Sequence, residues 1–352
     1  MKIERAEISA CRYELKRALD TSRTRVSERR GYALELIDED GRIGRGESLP
    51  LPVAGTEDLE ETGRALREVT ARLPGREGEL AELLDWVDEW APATPAARFA
   101  LDSALHDLEA QRRALPLARL LAAHPSGSVS VNEVLGLGDP QRTAEAAAAA
   151  VARGYRTLKL KIGAVPPEVD ADLLARVRGA VPRAVALRLD ANGAWSVRDA
   201  LVALERLSEF DVELVEQPVP ARDLAGLRHV AERSPIPVAA DEALAHEAGR
   251  EALLGGELAP VAILKPMVLG GVRASARLAA ASGVRCVVTT TFEGPVGVAA
   301  ALHLAAAVGD RELAHGLAAS DALVADFPAQ LAPTSGSLSL PRGPGLMGTA
   351  HG

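Results

Sequence analysis

The sequence predicts an α/β fold: a modified TIM barrel of (β/α)7β form with an α+β capping domain built from the N-terminal part and the C-terminal tail. Three observations predict it. Between residues 128 and 317, eight short apolar runs ending in polar residues alternate with Ala/Leu-rich helical stretches, the rhythm of a parallel sheet covered by helices. Polar landmarks at Lys161, Asp190, Glu216, Asp241 and Lys265 close five of these runs in steps of 29, 26, 25 and 24 residues, about one βα unit each. The first ~50 residues, by contrast, alternate as an antiparallel sheet does.

Taken in order, "KIERAEISACRYEL" and "YALELIDEDGRIGRGES" read as strands, with "DEDGR" as a turn between alternating runs,. Helical patterns follow at roughly 56 to 73 and 94 to 122, the second opening on Thr94 as cap and Pro95 in the first turn,. This completes a capping domain over residues 1–122. The barrel is expected over 128–318, with strands "VSVNEVLG", "TLKLKIG", "ALRLDANG", "VELVEQP", "VAADEA", "VAILKP", "CVVTTTFEG" and "ELAHGL". Residues 319–352 alternate weakly between Gly/Pro turns and are expected to return to the capping domain.

Composition excludes several classes of function. The chain has 352 residues, is 47% hydrophobic and carries a net charge of −9, which argues against a nucleic-acid surface. Cys11 and Cys286 stand far apart without a CxxC pattern, so neither a disulfide framework nor a cysteine metal site is expected, and a reducing cytoplasm fits. No apolar run approaches the ~18 residues of a membrane span. The expected partner is a small-molecule carboxylate substrate, with association into a homo-oligomer left open.

The chemistry is carried by strand ends. In "TLKLKIG", Lys159 and Lys161 point to one face because residues i and i+2 of a strand do,. Asp190, Glu216 and Asp241 close three consecutive strands, so their carboxylates converge. One strand-end carboxylate alone is more often a cap or a surface ion pair, but three converging anions need a cation. A hard divalent ion with oxygen ligands answers that need, Mg²⁺ being the simplest choice and Mn²⁺ its substitute. Lys161 and Lys265 flank the triad across the mouth. A neighbouring ammonium, Lys159, and a dication would both lower the proton affinity of Lys161. Lysine bases beside a metal that holds a carboxylate suit removal of the proton α to that carboxylate. The seven histidines show no metal-ligand spacing, and packing accounts for them better,.

The ordered set "LKLKIG", "LDANGAW", "VEQP", "ADEA" and "LKP" resembles the enolase superfamily, and within it the muconate-lactonising-enzyme subgroup, over essentially the whole chain. The resemblance implies that Asp190, Glu216 and Asp241 are Mg²⁺ ligands, that Lys161 is the acid/base, and that Lys265 lies on the opposite face. Mandelate-racemase-like members carry a histidine near the seventh strand, absent from "VVTTTFEGPVG". Dipeptide epimerases usually show an Asp-x-Asp pair after the eighth strand, absent from "AHGLAASDAL".

The segments "DEDGRIGRGESLPLP", "TTTFEGPVGVAAALHLAAA", "HGLAASDALVADF" and "LSLPRGPGLMG" resemble the o-succinylbenzoate synthase family. That resemblance implies dehydration of 2-succinyl-6-hydroxy-2,4-cyclohexadiene-1-carboxylate in menaquinone biosynthesis, with Asn192, Thr290, Thr291 and Gly316 as substrate contacts. The alternative is racemisation of an N-acylamino or N-succinylamino acid, or another epimerase or cycloisomerase of the subgroup, with Lys161 and Lys265 as opposed bases. A non-catalytic barrel that binds an acidic metabolite is disfavoured, because both lysines and all three carboxylates are present. By the same analogy the loops "ALDTSRTRVSERRG" and "LPLPVAG" close over the site.

Overall fold

The computed structural model describes residues 1–20, 25–136, 139–324 and 327–348. The tip of the first expected closing loop, residues 21–24, therefore lies outside the described residues. The alternating N-terminal runs fold as β1 (Ile3–Asp20), β2 (Arg25–Asp38) and β3 (Ile43–Ser48), paired antiparallel in that order. Asp38 closes the β2–β3 turn by accepting from the amides of Asp40 and Arg42, the local side-chain bonding that makes Asp a turn residue.

Three helices cover this sheet. α1 (Leu59–Thr70) starts with a reciprocal capping box between Asp58 and Glu61,. α2 (Leu80–Trp90) has no counterpart in the helical stretches expected from sequence; it buries Leu83, Leu84 and Val87. α3 (Pro95–Arg112) is buried nearly all round. Thr94 gives it no side-chain cap; the buried carboxylate of Glu57 accepts from the Ala96 and Ala97 amides instead, at 3.0 and 2.8 Å. The helix pattern read as continuous to 122 breaks at Ala114, φ 53, before the short α4 (Ala118–Leu121). Sheet and helix meet closely at Gly46, where a Cβ would sit 1.9 Å from the Ala100 carbonyl oxygen.

The run "VSVNEVLG" divides into β4 (Ser128–Ser130) and β5 (Glu133–Leu135). Then come α5 (Pro140–Ala152), β6 (Thr157–Lys161), α6 (Pro167–Ala180), β7 (Ala186–Asp190), α7 (Val197–Leu207), β8 (Val212–Glu216), α8 (Leu224–Arg233) and β9 (Val238–Ala240). They are followed by α9 (Glu247–Leu254), β10 (Val261–Leu264), α10 (Pro266–Leu269), α11 (Val272–Ser282), β11 (Arg285–Val288) and α12 (Pro295–Val308). Strands β5 to β11 form one parallel sheet in sequence order.

The expected eighth strand is reduced to bridging residues that close the ring: His315 pairs with Val131 and Gly316 with Thr289, both parallel. Leu214, Ala239, Val261, Ile263, Val287 and Leu313 form one buried apolar cluster of strand and strand-end residues. Fully buried Arg188, paired with Glu213 and donating to the Ala314 carbonyl, ties β7 to β8 and to the closing segment.

The tail returns twice. β12 (Leu323–Val324) pairs with β1 at Leu15 and Glu14, while β13 (Ser337–Ser339) pairs antiparallel with β4. The tail thus fastens both to the capping sheet and to the entry of the barrel. Among the described residues no helix is long and apolar enough to cross a membrane.

Candidate active site

Counting around the ring from β5, Lys159 and Lys161 lie on the second strand, Asp190 ends the third, Glu216 ends the fourth, Asp241 follows the fifth and Lys265 follows the sixth. The register places Lys161 beside Asp190 and Asp190 beside Glu216. The three carboxylates are 4%, 2% and 4% exposed, so each needs a partner. Gln217, left-handed at φ 39 and fully buried, sets the approach of the third: its Oε1 accepts from the amides of Asp241 and Ala243.

The partners are the lysines. Lys159 Nζ donates to Glu216 at 2.5 Å and lies 3.0 Å from Asp190. Lys265 Nζ donates to Asp241 Oδ2 at 2.7 Å and lies 2.6 Å from Oδ1. Lys161 Nζ stands 3.4 Å from Asp190 and donates to Asn192 Oδ1 at 2.6 Å. Asn192 in turn donates to Glu242 at 2.8 Å, leaving the other Glu242 oxygen buried without a partner.

Burial pulls the Lys159 ammonium down, but Asp190, Glu216 and Asp241 outweigh it and hold it above the ordinary lysine range,. Lys265 is raised in the same way, against burial, by Asp241 and Glu242. Burial works to raise Asp190, yet Lys159, Lys161 and Lys265 hold it well below the usual carboxylate range. Glu216 is raised by burial and by its two neighbouring carboxylates, and Glu242 is pushed up to about 7 by burial and Asp241.

This geometry changes the expected part of Lys159. Its charge is engaged by two carboxylates between the second and fourth strands, so it is not a free ammonium pressing on Lys161 alone. Asn192, exposed at the mouth, bonds both Lys161 and Glu242. Thr291 is 4% exposed and its hydroxyl and amide bind Glu293 at 2.9 and 2.6 Å. Thr290 donates to the Gly316 carbonyl at 3.3 Å, so Thr290 and Gly316 meet at the seam where the ring closes. A Cβ at Gly316 would lie 2.2 Å from Thr289 Oγ1, which gives that glycine a packing reason as well. From the capping domain, Ala54 joins Asp241, Glu242 and Lys265 in lining one small pocket.

The donors fit a hard divalent cation in kind and in order: three buried carboxylates at adjoining strand ends,. Each is engaged by a lysine, and among the described residues no three His, Cys, Asp or Glu side chains lie close enough together to hold a metal. Sequence reasoning did not assign Glu242, Gln217 or Arg188. The adjacent acids of "ADEA" were the one signal for Glu242.

Residues 6–122 match the mandelate racemase/muconate lactonizing enzyme N-terminal domain, and residues 142–348 match the enolase C-terminal domain-like family. The chain belongs to the enolase superfamily, in its muconate-lactonising subgroup. It is 32% identical to a hydrophobic dipeptide epimerase of Enterococcus faecalis, over 100% of this chain and 99% of that protein. It is 27% identical to an N-succinyl-L-Arg/Lys racemase of Bacillus cereus, over 87% and 84%.

The solved structure of the Enterococcus faecalis V583 dipeptide epimerase, complexed with Mg and the dipeptide L-Leu-L-Tyr, superposes with a TM-score of 0.90 at 29% identity, covering 98% of this chain and 99% of that one. These relatives correct the order read from the rim segments. They favour epimerases and racemases over o-succinylbenzoate synthase, and dipeptide epimerases are among them although this chain lacks the Asp-x-Asp pair.

Proposed function

We propose that this protein racemises an N-acylated amino acid, moving the proton α to a carboxylate held by Mg²⁺ on Asp190, Glu216 and Asp241, with Mn²⁺ able to substitute. The observation that carries this is the placement of Lys161 and Lys265 at the second and sixth positions of an eight-position ring, on opposite sides, with the three carboxylates on the positions between. Inversion at carbon needs a proton donor and an acceptor on opposite faces, whereas a same-face elimination needs one group.

When bound, the metal would supply charge stabilisation to the carboxylate as its α carbon loses the proton. The chain's own part is division of labour. Lys161, oriented by Asn192, serves one face and Lys265 the other, while Lys159 holds Asp190 and Glu216 in place. The kinship with a racemase and a dipeptide epimerase supports the same reading. The closing segment "AHGLAASDAL" lacks the Asp-x-Asp pair usual in dipeptide epimerases. That favours an acylated nitrogen over a dipeptide's ammonium.

Dehydration to o-succinylbenzoate is the second reading, favoured by the rim segments that resemble that family. A pair of assays with Mg²⁺ separates them: loss of optical rotation from N-succinylamino acids, and o-succinylbenzoate formation from the cyclohexadiene substrate. Racemisation with the higher kcat/KM is expected. Dehydration alone would transfer the assignment to the second reading, and turnover of dipeptides alone would remove the acyl requirement.

A further inference from the structure

A second cluster of buried ionisable groups lies away from the carboxylate triad, where the capping domain meets the barrel. Glu47 on β3 is 1% exposed. Its Oε1 accepts from the Tyr13 hydroxyl at 2.7 Å and its Oε2 from the Gly297 amide at 3.0 Å; the Gly294 amide also bonds it. Gly294 is the N-cap position of α12 and supplies no side-chain cap. A carboxylate from the capping domain therefore terminates a barrel helix, satisfying amides that the helix itself leaves unpaired. The close fit requires glycine: a Cβ at Gly294 would meet Glu47 Oε1 at 2.3 Å, and one at Gly297 would meet Glu293 Cβ at 2.5 Å.

The cluster reaches the active site through two short paths. Glu293, 1% exposed, braces Thr291 on the seventh-strand rim. Arg29 of β2, 3% exposed, donates to the carbonyl of Leu49 and to that of Pro50 at 3.1 Å, the latter two residues before Pro52–Ala54, and Ala54 lines the pocket at Lys265. We propose that Glu47 is a positioning residue, a latch that seats the 49–55 loop of the capping domain over the barrel mouth by holding the N-terminus of α12.

The groups facing Glu47 are Tyr13 and Cys11 from β1, Arg29 from β2 and Glu293 from the turn before α12. On the α3 side, Asp107 is occupied by the Arg45 and Leu346 amides. Burial, with Glu293 adding to it, pushes the Glu47 carboxyl up to about 7 against the bonds from Tyr13 and the α12 amides. The sign follows from linkage. A carboxyl that binds its proton more tightly when latched than when exposed favours the latched state at low pH, and opening becomes easier as pH rises from ~4.5 through about 7,.

Hydrogen exchange on the full chain tests this without reference to catalysis, so its failure is separate from failure of the racemase reading. Glu47→Ala should speed exchange of residues 49–55 and 290–297 tenfold or more and leave β7 to β9 unchanged. In wild type, opening of the same segments, corrected for intrinsic rates, should be about tenfold greater at pH 8 than at pH 6. Tyr13→Phe, which removes one donor and keeps the carboxylate, should retain that pH dependence; if Glu47→Ala does not fold, these two measurements decide. Where N-acylamino acids turn over, Glu47→Ala should raise KM tenfold or more and change kcat less than about threefold. Unchanged exchange at 49–55, a uniform rise over the whole chain, or no pH dependence in wild type would overturn the latch.

Discussion

At the scale of single residues, the site is an arrangement of paired charges in which each lysine has a different set of partners. Lys161 is distinguished by its bond to the neutral Asn192 oxygen. Asn192→Ala should therefore lower kcat about tenfold to a hundredfold with KM changed less than about threefold, because the base loses its orientation and the substrate keeps its contacts. Steady-state kinetics over a substrate series would show it. Asp241→Asn should weaken Mg²⁺ binding tenfold or more while the melting temperature moves by only a few degrees, since Lys265 keeps an oxygen to bind,; calorimetric titration with Mg²⁺ reads this directly. Lysines 159, 161 and 265 and the three carboxylates were legible in the sequence because each stands at or near the end of an apolar run, where position alone fixes direction. The Asn192–Glu242 link was not, since it joins loops 50 residues apart. Nor was the engagement of Lys159 by Glu216, which depends on side-chain reach across β7.

At the scale of elements, hydrophobic period and turn chemistry foretold most strands and barrel helices, and their failures have physical causes. β4 and β5 share one apolar run, so only pairing partners separate them. The eighth strand is short because two bridging residues suffice to close the ring. α2 lies in an acidic stretch whose few buried leucines gave a weak signal. Gly46→Ala tests the fit of β3 on α3: with a Cβ 1.9 Å from a carbonyl oxygen, it should destabilise by about 1–3 kcal/mol in urea melts. The backbone contacts of two histidines yield a pH prediction. His303 Nδ1 accepts from the Ala118 amide and its Nε2 donates to the Leu346 carbonyl, which fixes the neutral ring; burial pulls it down to about 4. His315 accepts from the Val288 amide and is held at about 4 by burial and Arg188. A depressed histidine gives stability that is present above its unfolded value of ~6.5 and lost as pH falls toward about 4. Glu47 and Asp170, both raised mainly by burial, act in the opposite sense. The test is therefore a difference: between pH 7 and pH 5, His303→Gln should lose about 2 kcal/mol less unfolding free energy than wild type.

At the scale of the whole molecule, two units built from distant parts of the chain share one mouth. The barrel supplies charge on fixed strand ends, and the capping domain supplies cover through Ala54 and the loop held by Arg29. This division explains why family and fold were readable from residues 157–266, while the substrate was not: the strand-end set does not by itself distinguish one carboxylate from another. The central claim is that Lys161 and Lys265 work from opposite faces of one α carbon. Its most direct test is deuterium incorporation at the α carbon of each enantiomer of an N-succinylamino acid, followed by proton NMR in D₂O with Mg²⁺, for wild type, Lys161→Ala and Lys265→Ala. The account predicts exchange from both enantiomers with wild type, and exchange from only one, a different one, with each variant, racemisation being lost in both. Loss of exchange from both enantiomers in Lys161→Ala, with Lys265→Ala still exchanging both, would contradict it and leave a single base on one face.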